Sequence, residues 1–114
     1  MPLKIYYLDD EIDLLEVFAD TFSTPDILIR TFSDPNEFKS VVSTDRPDLV
    51  FLDYRLPNIT GPEIAAGLDP AIPKVLITGD MSVKHGDVFI EKFEKPMKQS
   101  AVQALIDRHF QMHR

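Results

Sequence analysis

The sequence predicts an α/β chain in which a five-stranded parallel sheet is wound with helices on both faces. Three observations predict it. Short apolar runs, too brief for helices, recur along the chain. Segments with apolar residues every three or four positions separate them, and no low-complexity, charge-block or linker-like stretch interrupts the alternation. Strands that alternate with helices are joined by crossovers and become parallel neighbours. At 114 residues the chain is expected to be one domain, residues 1–114.

The elements follow in order. Residues 3–8 (LKIYYL) form a short apolar run with two aromatics, closed by Asp9-Asp10, and read as a buried strand. Ile12, Leu15, Ala19 and Phe22 then recur at helical spacing between Asp13, Glu16 and Asp20, a helix with one core-facing stripe that Thr24-Pro25 closes. Residues 27–32 read as a second strand, placed at an edge because Arg30 and Thr31 interrupt it. Ser33-Asp34-Pro35 supplies a cap and a proline near the first helical position, with Glu37 in the first turn ahead of Phe38, Val41 and Val42. Residues 48–53 (DLVFLD) are apolar on both faces and read as a central strand, residues 74–78 (KVLIT) as the fourth and residues 88–93 (VFIEKF) as the fifth. Val102, Leu105, Ile106, His109 and Phe110 mark a final helix.

Composition removes several classes of function. No cysteine is present, which excludes disulfides, thiolate zinc sites and cysteine nucleophiles and suits a reducing, cytoplasmic setting. A net charge of −7 repels phosphate backbones and anionic lipid, so no direct nucleic-acid or membrane contact is expected. No apolar run approaches the roughly 20 residues a membrane span needs, and Met-Pro-Leu-Lys does not open a signal peptide, so the chain is expected to stay unexported.

Sites in doubly wound sheets lie beyond the carboxyl ends of the strands. In the flavodoxin-like order 2-1-3-4-5 the first and third strands are neighbours at the switch point, which brings Asp9, Asp10 and Asp53 together; Thr78 ends the fourth strand and Lys95 follows the fifth. Clustered carboxylates repel, and either a raised pKa or a hard cation resolves the conflict; magnesium, which prefers oxygen ligands, is the favoured cofactor. The Thr78 hydroxyl and Lys95 ammonium can engage phosphoryl oxygens, and Asp53, a carboxylate nucleophile on the central strand, is the expected acceptor.

Asp9-Asp10-Glu11, then Leu52-Asp53-Tyr54-Arg55-Leu56-Pro57 through Gly61, then Thr78-Gly79 and Lys95-Pro96, resemble in that order a response-regulator receiver domain, the phosphoacceptor module of two-component signalling. The likeness spans the whole chain. It implies that Asp9, Asp10 and Asp53 hold magnesium with the backbone carbonyl of Arg55, and that Asp53 takes a phosphoryl group from the phosphohistidine of a sensor histidine kinase or phosphotransfer protein. It further implies that Thr78 and Lys95 bind the phosphoryl oxygens, that the Lys95-Pro96 peptide is cis, and that an unidentified downstream protein reads a conformational change. Such a chain catalyses only its own phosphorylation and dephosphorylation and is otherwise no enzyme. It is expected to be a stand-alone regulator or a fragment of something longer.

Several features depart from the family pattern. The helix at residues 62–68 is limited to about two turns by Asp69-Pro70, and residues 79–87 leave a fourth helix short or missing. Lys92 stands where the family's switch aromatic is expected, with Phe89 or Phe93 as substitutes. Arg55 and Asp80 are expected to pair across the site and prolong the phosphoryl group's lifetime.

Each residue also has a plainer role. Asp9 and Asp10 suit a helix start, Asp53 a turn, Thr78 an ordinary strand and Lys95 a solvated surface. His85, His109 and His113 lack defensible metal spacing and read as structural or surface residues, and Tyr6, Tyr7, Phe51 and Phe89 as core. The competing function is an atypical receiver serving as a phosphorylation-independent docking module. A magnesium-dependent hydrolase lacks room for a substrate cap, and nucleotide binding lacks a glycine-rich loop after the first strand.

Overall fold

The computed structural model describes residues 2–82 and 87–113. In chain order the elements are β1 (Leu3–Leu8), α1 (Ile12–Phe22), β2 (Ile27–Phe32), α2 (Pro35–Thr44), β3 (Leu49–Asp53), β4 (Arg55–Leu56), β5 (Ile59–Thr60), α3 (Gly61–Ala66), β6 (Lys74–Thr78), β7 (Glu91–Glu94) and α4 (Gln99–His113). Five strands form one parallel sheet in the order β2-β1-β3-β6-β7, with β2 at an edge. With the small β4-β5 hairpin set aside, this is the flavodoxin-like 2-1-3-4-5 order expected from the sequence. All five residues of β3 and of β6 are buried, as their unbroken apolar runs require.

Two clusters sandwich the sheet. Ile5, Tyr7, Phe51 and Ile77 meet Leu15 and Phe18 of α1 and Val102 and Ile106 of α4 on one face. Tyr6, Leu8, Leu52 and Leu76 meet Phe38 of α2 and Ile64 of α3 on the other. Asp34 caps α2, accepting the Asn36 amide at 3.0 Å ahead of Pro35. Thr60 caps α3, accepting the Glu63 amide at 3.3 Å.

Three expectations need correction. The buried stripe of α1 is Leu15, Phe18 and Phe22, whereas Ile12 is exposed, because the helix begins beyond the sheet's carboxyl edge where no core lies opposite it. Helix α3 is shorter than expected: it ends at Ala66 with Gly67 as its cap, before Asp69-Pro70 is reached. The fifth strand starts at Glu91 rather than residue 88. Its partner β6 starts only at Lys74, directly after Pro73, which has no amide to donate, so the ladder runs from Val75–Glu91 to Thr78–Glu94.

The short or missing fourth helix was expected within residues 79–87. Among the described residues of that stretch none is helical, and residues 83–86, with His85, lie outside the described residues. Phe89 is buried in the second cluster, so a residue ahead of β7 helps close the face that α2 and α3 cover.

Candidate functional site

Register places the chemical residues together. Leu8 pairs with Leu52, so Asp9 stands beside Asp53; Asp53 pairs with Ile77, one residue before Thr78; Thr78 pairs with Glu94, one residue before Lys95. All therefore emerge at one carboxyl edge. Around them lies an open cleft of about 450 Å³ whose lining includes Asp10, Asp53, Arg55, Thr78, Asp80 and Lys95.

The hairpin after β3 shapes this edge. Pro57-Asn58 makes its turn, and Asn58 takes φ 65°, a left-handed conformation that asparagine tolerates. Gly61 then passes so close to β3 that a Cβ there would run into the Asp53 carbonyl oxygen. Its amide donates to Tyr54 O at 2.9 Å, which ties the start of α3 to the end of β3.

Asp9 is fully buried and Asp53 nearly so, while Asp10 is exposed. One carboxylate oxygen from each lies within 4.8 Å of the others. Lys95 Nζ bridges the buried pair, 3.1 Å from Asp9 Oδ2 and 3.2 Å from Asp53 Oδ1, and reaches Glu11 Oε1 at 3.3 Å. Burial first, and then the neighbouring Asp9 charge, push the Asp53 carboxyl from 3.8 up to about 7 against the pull of Lys95. Burial opposes the Lys95 charge, but the hydrogen bonds and charges of Asp9 and Asp53 outweigh it and raise that pKa above its ordinary value. One ammonium thus faces three carboxylates, with Asp10 clustered beside Asp9 and Asp53. An all-oxygen donor set with surplus negative charge fits a hard divalent cation.

Thr78 is buried at the cleft, where its hydroxyl accepts the Asp80 amide at 3.0 Å and donates to Asp80 O at 3.2 Å. Arg55 begins β4 at the rim with its side chain exposed. The Lys95-Pro96 peptide is cis, as the resemblance implied. The expected pairing of Arg55 with Asp80 is not seen: among the described residues no ion pair joins them. The Asp80 carboxylate accepts the Ser82 amide at 2.9 Å and the Ser82 hydroxyl at 2.5 Å, and these bonds, followed by the more distant Arg55 charge, lower its pKa. Lys92 donates to Met81 O at 2.8 Å, tying the segment after Thr78 to β7, and Phe93 packs against the α1–α4 cluster.

Sequence reasoning missed two contacts. Glu11 was read only as part of a motif, yet it reaches Lys95. Tyr7 is core as expected, but its hydroxyl donates to Asp9 Oδ2 at 2.5 Å. The signal was available: two residues apart at a strand end, Tyr7 and Asp9 point to the same face.

A doubly wound sheet with buried carboxylates and a bridging lysine at its switch point defines a signalling domain of the receiver type. The chain belongs to the response regulator receiver domain family, whose model matches residues 5–107. It is 28% identical over 103 residues to the C4-dicarboxylate transport transcriptional regulatory protein DctD of Rhizobium meliloti (strain 1021), covering 88% of this chain and 20% of that protein. It is 30% identical over 118 residues to the cyclic di-GMP phosphodiesterase response regulator RpfG of Xanthomonas campestris pv. campestris (strain 8004), covering 91% of this chain and 31% of that protein. The chain thus spans less than a third of either relative. The fold matches the CheY-like receiver domain protein of Methanospirillum hungatei JF-1 with a TM-score of 0.86 at 17% identity, over 98% of this chain and 96% of that one.

Proposed function

We propose that residues 1–114 act as a single receiver domain that accepts a phosphoryl group on Asp53, in a magnesium-dependent transfer from the phosphohistidine of a sensor histidine kinase or phosphotransfer protein. The observation that carries this reading is the bridge of Lys95 Nζ between Asp9 Oδ2 (3.1 Å) and Asp53 Oδ1 (3.2 Å) beside Asp10. Asp9, Asp10, Asp53 and the Arg55 carbonyl would hold magnesium, which supplies charge neutralisation for the phosphoryl oxygens.

In the transfer a carboxylate oxygen of Asp53 forms a bond to phosphorus as the histidine N–P bond breaks, and the released electron pair stays on the imidazole nitrogen, which takes up a proton. Lys95 leaves the carboxylates to pair with a phosphoryl oxygen, and the Thr78 hydroxyl, freed from Asp80 O, donates to another. Both movements bear on the β6-to-α4 face, which signals by a population shift read by a downstream protein. The chain has no substrate beyond its own acceptor, and its net charge of −7 argues against direct contact with nucleic acid. A chain without cysteine suits the cytoplasm. The docking-module reading is not favoured, since it gives the converging carboxylates no task.

Intact mass after incubation with acetyl phosphate tests this. One phosphoryl adduct is expected only with magnesium and only in the unmutated chain, not in Asp53→Asn. An adduct that forms equally without magnesium, or no adduct at all, contradicts the reading.

A further inference from the structure

Tyr7 is a buried polar group to which the proposed transfer gives no role. Its ring stands 4.8 Å from that of Phe18 on α1 and 6.3 Å from that of Phe51 on β3, centroid to centroid, so two packed elements fix where the hydroxyl points. That hydroxyl donates to Asp9 Oδ2 at 2.5 Å, the short distance of a bond to a charged acceptor. Besides its acidic neighbour Asp53, Asp9 meets two further donors among the described residues, the Glu11 amide on Oδ1 at 2.9 Å and Lys95 Nζ on Oδ2 at 3.1 Å. The amide belongs to the turn that carries the acidic pair, and the lysine ends a flexible four-carbon stem that the transfer requires to move. Of these three, only the phenol is anchored in the core.

We propose that Tyr7 is a positioning residue for the cation site: its hydroxyl holds the fully buried Asp9 carboxylate in the orientation in which it shares a cation with Asp10 and Asp53. This rests on the magnesium reading above and assigns a residue to it. The phenol does not touch the reacting atoms; it acts through Asp9. Partners that orient ligating carboxylates typically govern metal affinity by one to two orders of magnitude.

The neighbouring strand residue supplies a matched control. Tyr6 is equally buried but points to the opposite face, where its hydroxyl donates to the Asp45 backbone oxygen at 2.7 Å, away from the site. Tyr7→Phe and Tyr6→Phe each delete one phenolic hydrogen bond and keep the ring, so a general cost of losing a buried hydroxyl appears in both.

The test is an amide-shift titration of the full chain with magnesium chloride. Tyr7→Phe is expected to raise the magnesium Kd about tenfold, while Tyr6→Phe leaves it within about twofold. In a double-mutant cycle, Tyr7→Phe is expected to add no further loss to Asp9→Asn, since its effect runs through that carboxylate. Equal magnesium affinity in wild type and Tyr7→Phe, an equal loss in Tyr6→Phe, or a Tyr7→Phe chain that no longer folds would each overturn the proposal and assign the hydroxyl to the core. Wild-type amides that do not respond to magnesium would instead overturn the cation-site reading, and the proposal with it.

Discussion

Replacing Asp53 by asparagine should stabilise the protein in magnesium-free buffer at pH 8 and should not do so at pH 5. The Asp53 carboxyl is pushed up to about 7 from 3.8, chiefly by burial and then by the Asp9 charge. A carboxyl whose folded pKa lies above its unfolded one binds its proton more tightly when folded, so stability falls as pH rises from about 4 to about 7 and stays low above that window. That rise from 3.8 to about 7, at about 1.4 kcal/mol per tenfold change in proton affinity, sets a ceiling of about 4 kcal/mol. The pull of Lys95 is already contained in that rise; the asparagine amide replaces the protonated carboxyl's hydrogen bonds only in part, and a net gain of about 2 kcal/mol remains. At about 4 °C per kcal/mol for a chain of this size, Asp53→Asn should melt about 8 °C above the wild type at pH 8. Saturating magnesium should narrow the gap, because a ligand of the folded state stabilises the chain that binds it better. Paired thermal melts at the two pH values, with and without the cation, provide the assay. A difference between the two proteins that is the same at pH 5 and pH 8 would refute the burial argument.

Two further substitutions test the frame of the site. Gly61→Ala sets a methyl against the Asp53 carbonyl oxygen and should destabilise by roughly 1–3 kcal/mol in urea unfolding while slowing acetyl-phosphate labelling, since the shift is forced on the acceptor's own backbone. Lys74 is 2% exposed, and its Nζ donates to Asp69 O and Ile72 O, each at 2.8 Å. Lys74→Ala therefore leaves a cavity and an unmet Ile72 carbonyl, while Asp69 O keeps the Ile72 amide at 3.0 Å, with an expected loss of about 2–4 kcal/mol in the same assay and little change in magnesium affinity.

The parallel sheet was legible because residues 49–52 and 75–77 are continuous apolar runs too short for helices, as strands buried on both faces are. The site was legible for a related reason: its residues end strands, and strand order alone then brings Asp9, Asp53, Thr78 and Lys95 to one edge. What the sequence concealed depends on contacts between elements. Ile12 fits the helical period as well as Phe18 does, and only the sheet's extent shows that Ile12 overhangs it. Where β7 begins depends on where its partner β6 begins, so Val88 and Ile90 looked like strand residues but lie ahead of the ladder. Asp80 and Arg55 have opposite charges at suggestive positions, yet Ser82, two residues on from Asp80, captures the carboxylate through a local turn. Lys74 reads as a polar strand start, and its burial follows from carbonyls that the Asp69–Ile72 turn happens to present.

The central claim is that Asp53 itself carries the phosphoryl group. Borohydride converts an acyl phosphate to the corresponding alcohol, so reduction after acetyl-phosphate treatment, followed by peptide mapping, locates the acceptor. Homoserine at position 53, formed only when magnesium was present during labelling, is the predicted result. Reduction product at Asp9, Asp10 or any other carboxylate, with residue 53 recovered as aspartate, would contradict it.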